Sequence, residues 1–294
     1  MITNNPLMES ALTVFSVIAV GIMTARIVGG RWVDVLNNYA FNIAVPALLI
    51  VSFWRYELLK AEMEFVPLTY LSLAACSVLS YLLFRLMGFS DLPILVLASV
   101  LGNVAYLGIP LVELAFGEEY LGLVGLLSVV HFSILPVFIA IIEGKISLET
   151  LKSPLIISAF IGLALSLGGL PRENFVYRAL DLISSSASPV ALFSIGLWIG
   201  SRGITLGGKE VYVLTFLKLV VLPLVLHVAY LTHVFRISGD AYVVSLVEAS
   251  TPLAIANFIV AKKYEKHVDT ISSAIVVSTA LSLVTIPAVV TLLG

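Results

Sequence analysis

The sequence predicts an all-α polytopic membrane protein of ten transmembrane helices arranged as two inverted five-helix repeats. Three observations carry this. Of 294 residues 60 % are hydrophobic and only 12 % charged, with a mean hydropathy of +1.10, which leaves no polar surface for a soluble domain. Charged and Gly/Pro-containing connectors divide the chain into ten apolar stretches long enough to cross roughly 30 Å of hydrocarbon at about 1.5 Å per residue. The fourth stretch of each half is interrupted at matching places, and an odd number of spans per half makes the second half enter the membrane upside down.

Span one, 6–26, begins near Leu7, includes Glu9, lacks a basic n-region and runs too long for a signal peptide, so it reads as a retained transmembrane helix. Span two, 32–54, carries Pro46 deep in an apolar run, and span seven, 174–200, carries Pro189 in a similar setting. Span three, 66–87, holds the single cysteine, Cys76, which excludes an intramolecular disulfide and a thiolate-rich metal site. Spans four, 92–116, and nine, 240–262, carry the interruptions. Spans five, 119–142, and eight, 209–232, contain His131 and Lys218, while spans six, 153–169, and ten, 268–292, are apolar with scattered hydroxyls. The two repeats are residues 1–146 and 147–294.

The first interruption lies in Ala98–Leu111, ASVLGNVAYLGIPL, and the second in Glu248–Asn257, EASTPLAIAN. An unsatisfied backbone group in lipid costs several kcal/mol, so such breaks persist only where protein or a wet cavity takes up the freed groups. Matched breaks in the two halves point to a transport site. Asn103 lies roughly 17 Å and Pro252 roughly 18 Å along their spans, both near the midplane. The unwinding is therefore placed at Gly102–Asn103 and Thr251–Pro252, with Pro110 as a secondary kink nearer the outer surface. Half-helix N-termini favour anions. The amide of Asn103 and the hydroxyls of Ser250 and Thr251 suit a carboxylate, and Asn257 follows the second break by five residues. Tyr106, Phe132 and Ile255 would line such a site with apolar surface.

Ionisable residues inside a membrane are functional candidates by default. Lys218 and Glu248 fall within a few Å of each other in depth, by a count of roughly 14 Å and 12 Å from opposite faces. Two readings stay open: a buried ion pair tethering two helices, or Lys218 binding an anion while Glu248 exchanges a proton. His131, roughly 17 Å into span five, either titrates there or hydrogen-bonds within the bundle. Glu113, His227 and His233 lie nearer the outer surface. Export of a monoanion from an inside-negative cell gains about 2.3 kcal/mol per 100 mV and needs no second ion, whereas import needs a coupled cation. One or two carboxylates are too few for a sodium site, which leaves a proton on Glu248 or His131.

Ten basic residues flank one side (Arg26, Arg31, Arg85, Lys145, Lys152, Arg202, Lys209, Lys262, Lys263, Lys266) and five the other (Arg55, Lys60, Arg172, Arg178, Arg236). This bias puts Lys262–His267 in the cytoplasm and both termini outside the cell membrane. A net charge of -2 without a clustered basic face excludes nucleic-acid binding. Neither a cofactor nor a metal is expected. HExxH, GxSG and GxGD are all missing, which counts against the alternative of an intramembrane enzyme. The sparse polarity counts against a channel.

At Asn103-Val-Ala-Tyr-Leu-Gly-Ile-Pro110-Leu, Asn37 with Ala44-Val-Pro46-Ala-Leu, and Phe193-Ser-Ile-Gly-Leu197, the chain resembles the auxin efflux carrier family, which includes the plant PIN-FORMED carriers and many bacterial and archaeal permeases. Pro252, Val260-Ala-Lys-Lys-Tyr264, Asp269, Ser272 and Ser273 extend the likeness to nearly the whole chain. The resemblance implies a secondary transporter of a small organic anion, an auxin-like acid or a mono- or dicarboxylate. It implies a homodimer built through a scaffold domain of spans 1, 2, 6 and 7, with a transport domain of spans 3–5 and 8–10 that moves like an elevator. It also implies that spans four and nine cross beside the substrate. Two features depart from the plant carriers: Val66–Met87 contains no carboxylate, and the connector Glu143–Lys152 is short.

Overall fold

The computed structural model describes residues 6–55, 63–145, 153–172, 174–202 and 207–293. Lys60, Lys152 and most of the connector between the halves lie outside the described residues, as do the chain ends. In order, the α-helices are α1 (Pro6–Val28), α2 (Val33–Tyr39), α3 (Val45–Arg55), α4 (Phe65–Leu86), α5 (Leu92–Val100), α6 (Ile109–Phe116), α7 (Leu121–Glu143), α8 (Pro154–Leu167), α9 (Phe175–Ser184), α10 (Ala187–Arg202), α11 (Lys209–Phe216), α12 (Leu222–Leu231), α13 (Gly239–Ala249), α14 (Ile255–Tyr264) and α15 (Val268–Leu293). Among the described residues the only extended pairing is an isolated antiparallel bridge between Gly102 and Leu253.

Among the described residues six helical stretches are long and apolar enough to cross a membrane: Leu7–Arg55, Phe65–Leu86, Glu118–Glu143, Phe175–Arg202, Lys209–Leu231 and Val268–Leu293. The first is 49 residues long and contains spans one and two of the sequence reading. The segments expected as spans four and nine are each divided into two short helices, and α8 has 14 residues, so none of the three reaches that length as a continuous helix.

Among the described residues three turns of π-helix interrupt the helical path, at Ala40–Ala44, Val104–Gly108 and Leu217–Val221. Each ends two residues before a proline: Pro46, Pro110 and Pro223. A proline in a helix lacks its N–H and crowds the carbonyl four residues earlier. That carbonyl belongs to Asn42, Tyr106 or Leu219, each inside a π turn, where the wider ring makes room for it.

The chain divides into two compact units. The first comprises residues 1–61, 105–129 and 151–203. Here α1 and α10 pack backbone to backbone, because a Cβ at Gly196 would lie 1.9 Å from the Ile18 carbonyl oxygen and one at Gly21 would lie 2.8 Å from the Leu197 nitrogen. Small residues at four-residue spacing (Gly21 and Ala25 on α1, Gly196 and Gly200 on α10) permit that approach. Gly162 likewise lets α8 meet α3, where a Cβ would come within 2.7 Å of the Ile50 carbonyl oxygen. Arg55, at the end of α3, bonds Glu118 at 2.8 Å, Asp181 at 3.0 Å and the Tyr177 hydroxyl.

The second unit comprises residues 62–104, 130–150 and 204–294. Its core gathers Leu73 and Cys76 from α4, Val100 from α5, Val130 from α7, Leu222 and Leu226 from α12, and Tyr242, Leu246 and Ala249 from α13. A neighbouring cluster of Leu97, Leu101, Ala254 and Val260 packs against Ile134, Leu135 and Phe138 of α7. At its polar edge Lys266 bonds Asp91 at 3.0 Å, and this hydrogen bond holds the exposed Asp91 carboxyl below its ordinary range. The pair ties the start of α5 to the end of α14.

Candidate functional site: a buried backbone crossover

Helix α5 stops at Val100, and Leu101 turns to extended backbone with φ -79° and ψ 102°. Helix α13 stops at Ala249, and the chain is again extended at Ala254 (φ -71°, ψ 144°) before α14 begins. The two non-helical segments run antiparallel across each other. Asn103 N donates to the Pro252 carbonyl at 2.7 Å and Ala254 N donates to the Leu101 carbonyl at 3.1 Å. Leu101 O also accepts from Asn257 Nδ2 at 2.9 Å, and Leu253 N donates to Ser278 Oγ at 3.2 Å. Each break thus satisfies backbone groups of the other, as a non-aqueous surrounding requires.

Lys218 enters from the π turn between α11 and α12. Its side chain is fully buried, and Nζ donates to the Ala249 carbonyl at 2.6 Å. That carbonyl is among the last of α13, which have no intrahelical N–H partner and carry the negative end of the helix dipole. Gly102 lies against the same ammonium: a Cβ there would be 3.0 Å from Lys218 Nζ, 2.8 Å from its Cε and 2.4 Å from Thr251 Oγ1. Gly102 is therefore required by close approach of a side chain and not by its own dihedral angles.

Glu248 is also fully buried, and neither carboxylate oxygen makes a hydrogen bond. It lies close enough to Lys218 for their charges to interact. The hydrogen-bonded Lys218–Glu248 pair allowed by their depths does not form, because the ammonium is committed to the helix terminus. Asn103 Nδ2, a donor, and Asn257 Oδ1, an acceptor, are likewise buried and without a hydrogen-bond partner. Ser250 Oγ donates to the Leu246 carbonyl and Thr251 Oγ1 to the Glu248 carbonyl, both at 2.7 Å, so these hydroxyls offer a ligand only their lone pairs.

The structure thus brings together Gly102, Asn103, Ser250, Thr251, Pro252, Asn257, Lys218 and Glu248 within the second unit. His131 is buried on α7 in the same unit, between Val130 and Ile134, which pack in the two clusters already described. Pro110 belongs to the first unit, where it lies in the first turn of α6. Tyr106 is also there, its hydroxyl donating to the Asn37 carbonyl at 3.2 Å. Sequence reasoning missed Ser278, which caps the Leu253 amide, and the buried Thr279 beside it. It missed as well the hydroxyl contact Ser99–Ser80 at 2.8 Å, next to Cys76. Serine and threonine inside apolar helices routinely bond their own backbone, so nothing in the sequence marks these out.

The crossover thus joins two interrupted apolar helices by backbone pairing, with a fully buried lysine against it. The chain matches the family model described as membrane transport protein over residues 6–145 and 138–290. It belongs to that family. An uncharacterized transporter of Methanothermobacter thermautotrophicus is 26 % identical over 294 residues, covering 95 % of this chain and 96 % of the relative. A putative malonate transporter of Rhizobium meliloti is 26 % identical over 301 residues, covering 94 % and 92 %. A probable auxin efflux carrier component 9 of Oryza sativa subsp. japonica is 29 % identical over 141 residues, covering 46 % of this chain and 33 % of the carrier. The chain is thus a multi-pass membrane transporter of the family that contains the auxin efflux carriers.

Proposed function

We propose that this transporter carries a small organic anion, a carboxylate, bound at the crossover of the two broken helices. The observation that carries the reading is Lys218: a fully buried lysine against Gly102, whose chain neighbour Asn103 carries a buried amide donor, Nδ2, with no hydrogen-bond partner. An isolated buried ammonium costs several kcal/mol, and one backbone carbonyl offsets only part of that. A carboxylate would offset the rest and accept from the Asn103 amide. The likeness to the putative malonate transporter of Rhizobium meliloti supports a carboxylate of the malonate kind.

In this reading the chain crosses the membrane ten times as two inverted five-helix repeats, with both termini outside. Spans 1, 2, 6 and 7 form a scaffold through which two copies associate. Spans 3–5 and 8–10 carry the substrate across by an elevator motion.

The test is a thermal-shift series on purified protein with malonate, succinate, acetate and indole-3-acetate, since a ligand of the folded state raises the apparent melting temperature. At least one of these carboxylates is expected to raise it. The shift should be lost in Lys218→Met and reduced in Asn103→Ala, by roughly tenfold in affinity for the latter if one charge-assisted bond of about 1.5 kcal/mol is removed. Shifts of equal size in both variants would remove the crossover as the binding site.

A further inference from the structure

We propose that each anion crosses together with one proton, carried on Glu248, so that net movement of a monoanion is electroneutral; this rests on the anion site proposed above. The reasoning is a charge balance on the crossover. Lys218 and Glu248 are both fully buried in the second unit, and the Lys218 ammonium is held at the Ala249 carbonyl, one residue beyond Glu248. With both groups charged the site sums to zero and gives a monoanion no net attraction. With Glu248 protonated, the ammonium is left to the anion and the acid O–H becomes a further donor to it.

Moving a net charge through hydrocarbon is expensive, so the forms that cross must be the neutral ones. The loaded neutral form contains one ammonium, one anion and a protonated Glu248. The empty neutral form contains an ammonium, held at the Ala249 carbonyl, with a Glu248 carboxylate. Its conversion to the loaded form takes up one anion and one proton, the proton on Glu248. Uniport would require the empty site to return with a charge of plus one.

Among the described residues, the titratable groups on the elements around Glu248 are few. Helix α13 packs against α12, α4 and α15. From α12 comes His227, whose Nδ1 lies 2.5 Å from Tyr242 Oη, almost two turns before Glu248. From α4 comes Cys76, which interacts with Lys218. The acidic residue of α15, Asp269, is in its first turn, and α7 contributes the buried His131. Of these, Lys218 is the group whose charge acts on the Glu248 carboxylate.

The experiment uses the full chain in proteoliposomes with [14C]malonate, carried as its monoanion. With the potential held at zero, a gradient from about pH 7 outside to about pH 8 inside should accumulate the label about a hundredfold, where uniport of the monoanion gives only about tenfold because malonate loses its second proton inside. A potassium diffusion potential of either sign should leave the initial rate unchanged. Glu248→Gln should lose this accumulation yet still exchange external label for internal malonate, because its loaded form is neutral and its empty form is trapped. Glu248→Asp should recover the response to the gradient. Uptake driven by potential, with no more than about tenfold accumulation under the pH gradient, would overturn the coupling while leaving the anion site standing. So would wild-type accumulation by Glu248→Gln, or loss of exchange in a Glu248→Gln protein that still binds malonate in the thermal-shift assay. Failure of wild-type protein to bind any of the four carboxylates would overturn the anion site and the coupling together.

Discussion

Gly102 has its neighbours at 2.4 Å and 2.8 Å from where a methyl group would sit, and those neighbours are Thr251 and Lys218. Gly102→Ala must therefore displace the Thr251 hydroxyl and the end of the Lys218 side chain, or shift the backbone that carries the alanine. We expect a loss of about 1–3 kcal/mol, typical of overpacking, together with weakened carboxylate binding. Melting temperature and the thermal-shift series measure the two effects. An alanine variant with unchanged melting temperature and binding would show that the crossover is looser than its distances imply. Asn103, Lys218 and Glu248 were legible in the sequence because amides and charges are rare inside apolar spans. What each does was not legible. That Lys218 bonds a backbone carbonyl and not Glu248 depends on where α13 ends in space.

At the scale of an element, a π turn makes room for the carbonyl crowded by the proline two residues beyond it and, in span eight, carries Lys218. Pro223→Ala restores an N–H and removes the clash with Leu219, so Leu217–Val221 can close to ordinary α-helix. Loss of one inserted residue rotates the helix before it by about 100°, which would carry Lys218 away from Ala249. We expect Pro223→Ala to fold with equal or higher thermal stability, since an interior proline costs a helix about 3 kcal/mol, while carboxylate binding falls. A variant that binds as well as the original would separate the π turn from the site. The interruptions themselves could be read from Gly102-Asn103 and Thr251-Pro252. The π turns could not, because Pro136 and Pro287 lie inside α7 and α15, which remain α-helical throughout. Proline alone does not decide between a bent α-helix and a π turn; the packing around it does.

At the scale of the whole molecule, the excess of Lys and Arg on one side predicts that Lys263 faces the cytoplasm. Lys263 is exposed beyond the end of its apolar stretch and pairs with Glu143 at 3.1 Å. A cysteine in its place should react with a membrane-impermeant maleimide only after the cells are opened. The native Cys76 is fully buried and should stay silent. Labelling of intact cells would invert the proposed topology. The sequence by itself determined that the chain is a polytopic membrane protein, which apolar stretches are helical and where two of them fail, since hydropathy and helix-breaking chemistry are local properties. Only the tertiary structure decided that the two failures pair across each other, and that Lys218, Gly102 and Thr251 meet there. The contacts of Gly102 and the backbone pairing join residues more than a hundred positions apart, the Lys218–Ala249 bond joins residues 31 apart, and no local rule of composition or spacing encodes which unpaired carbonyl a buried ammonium will find.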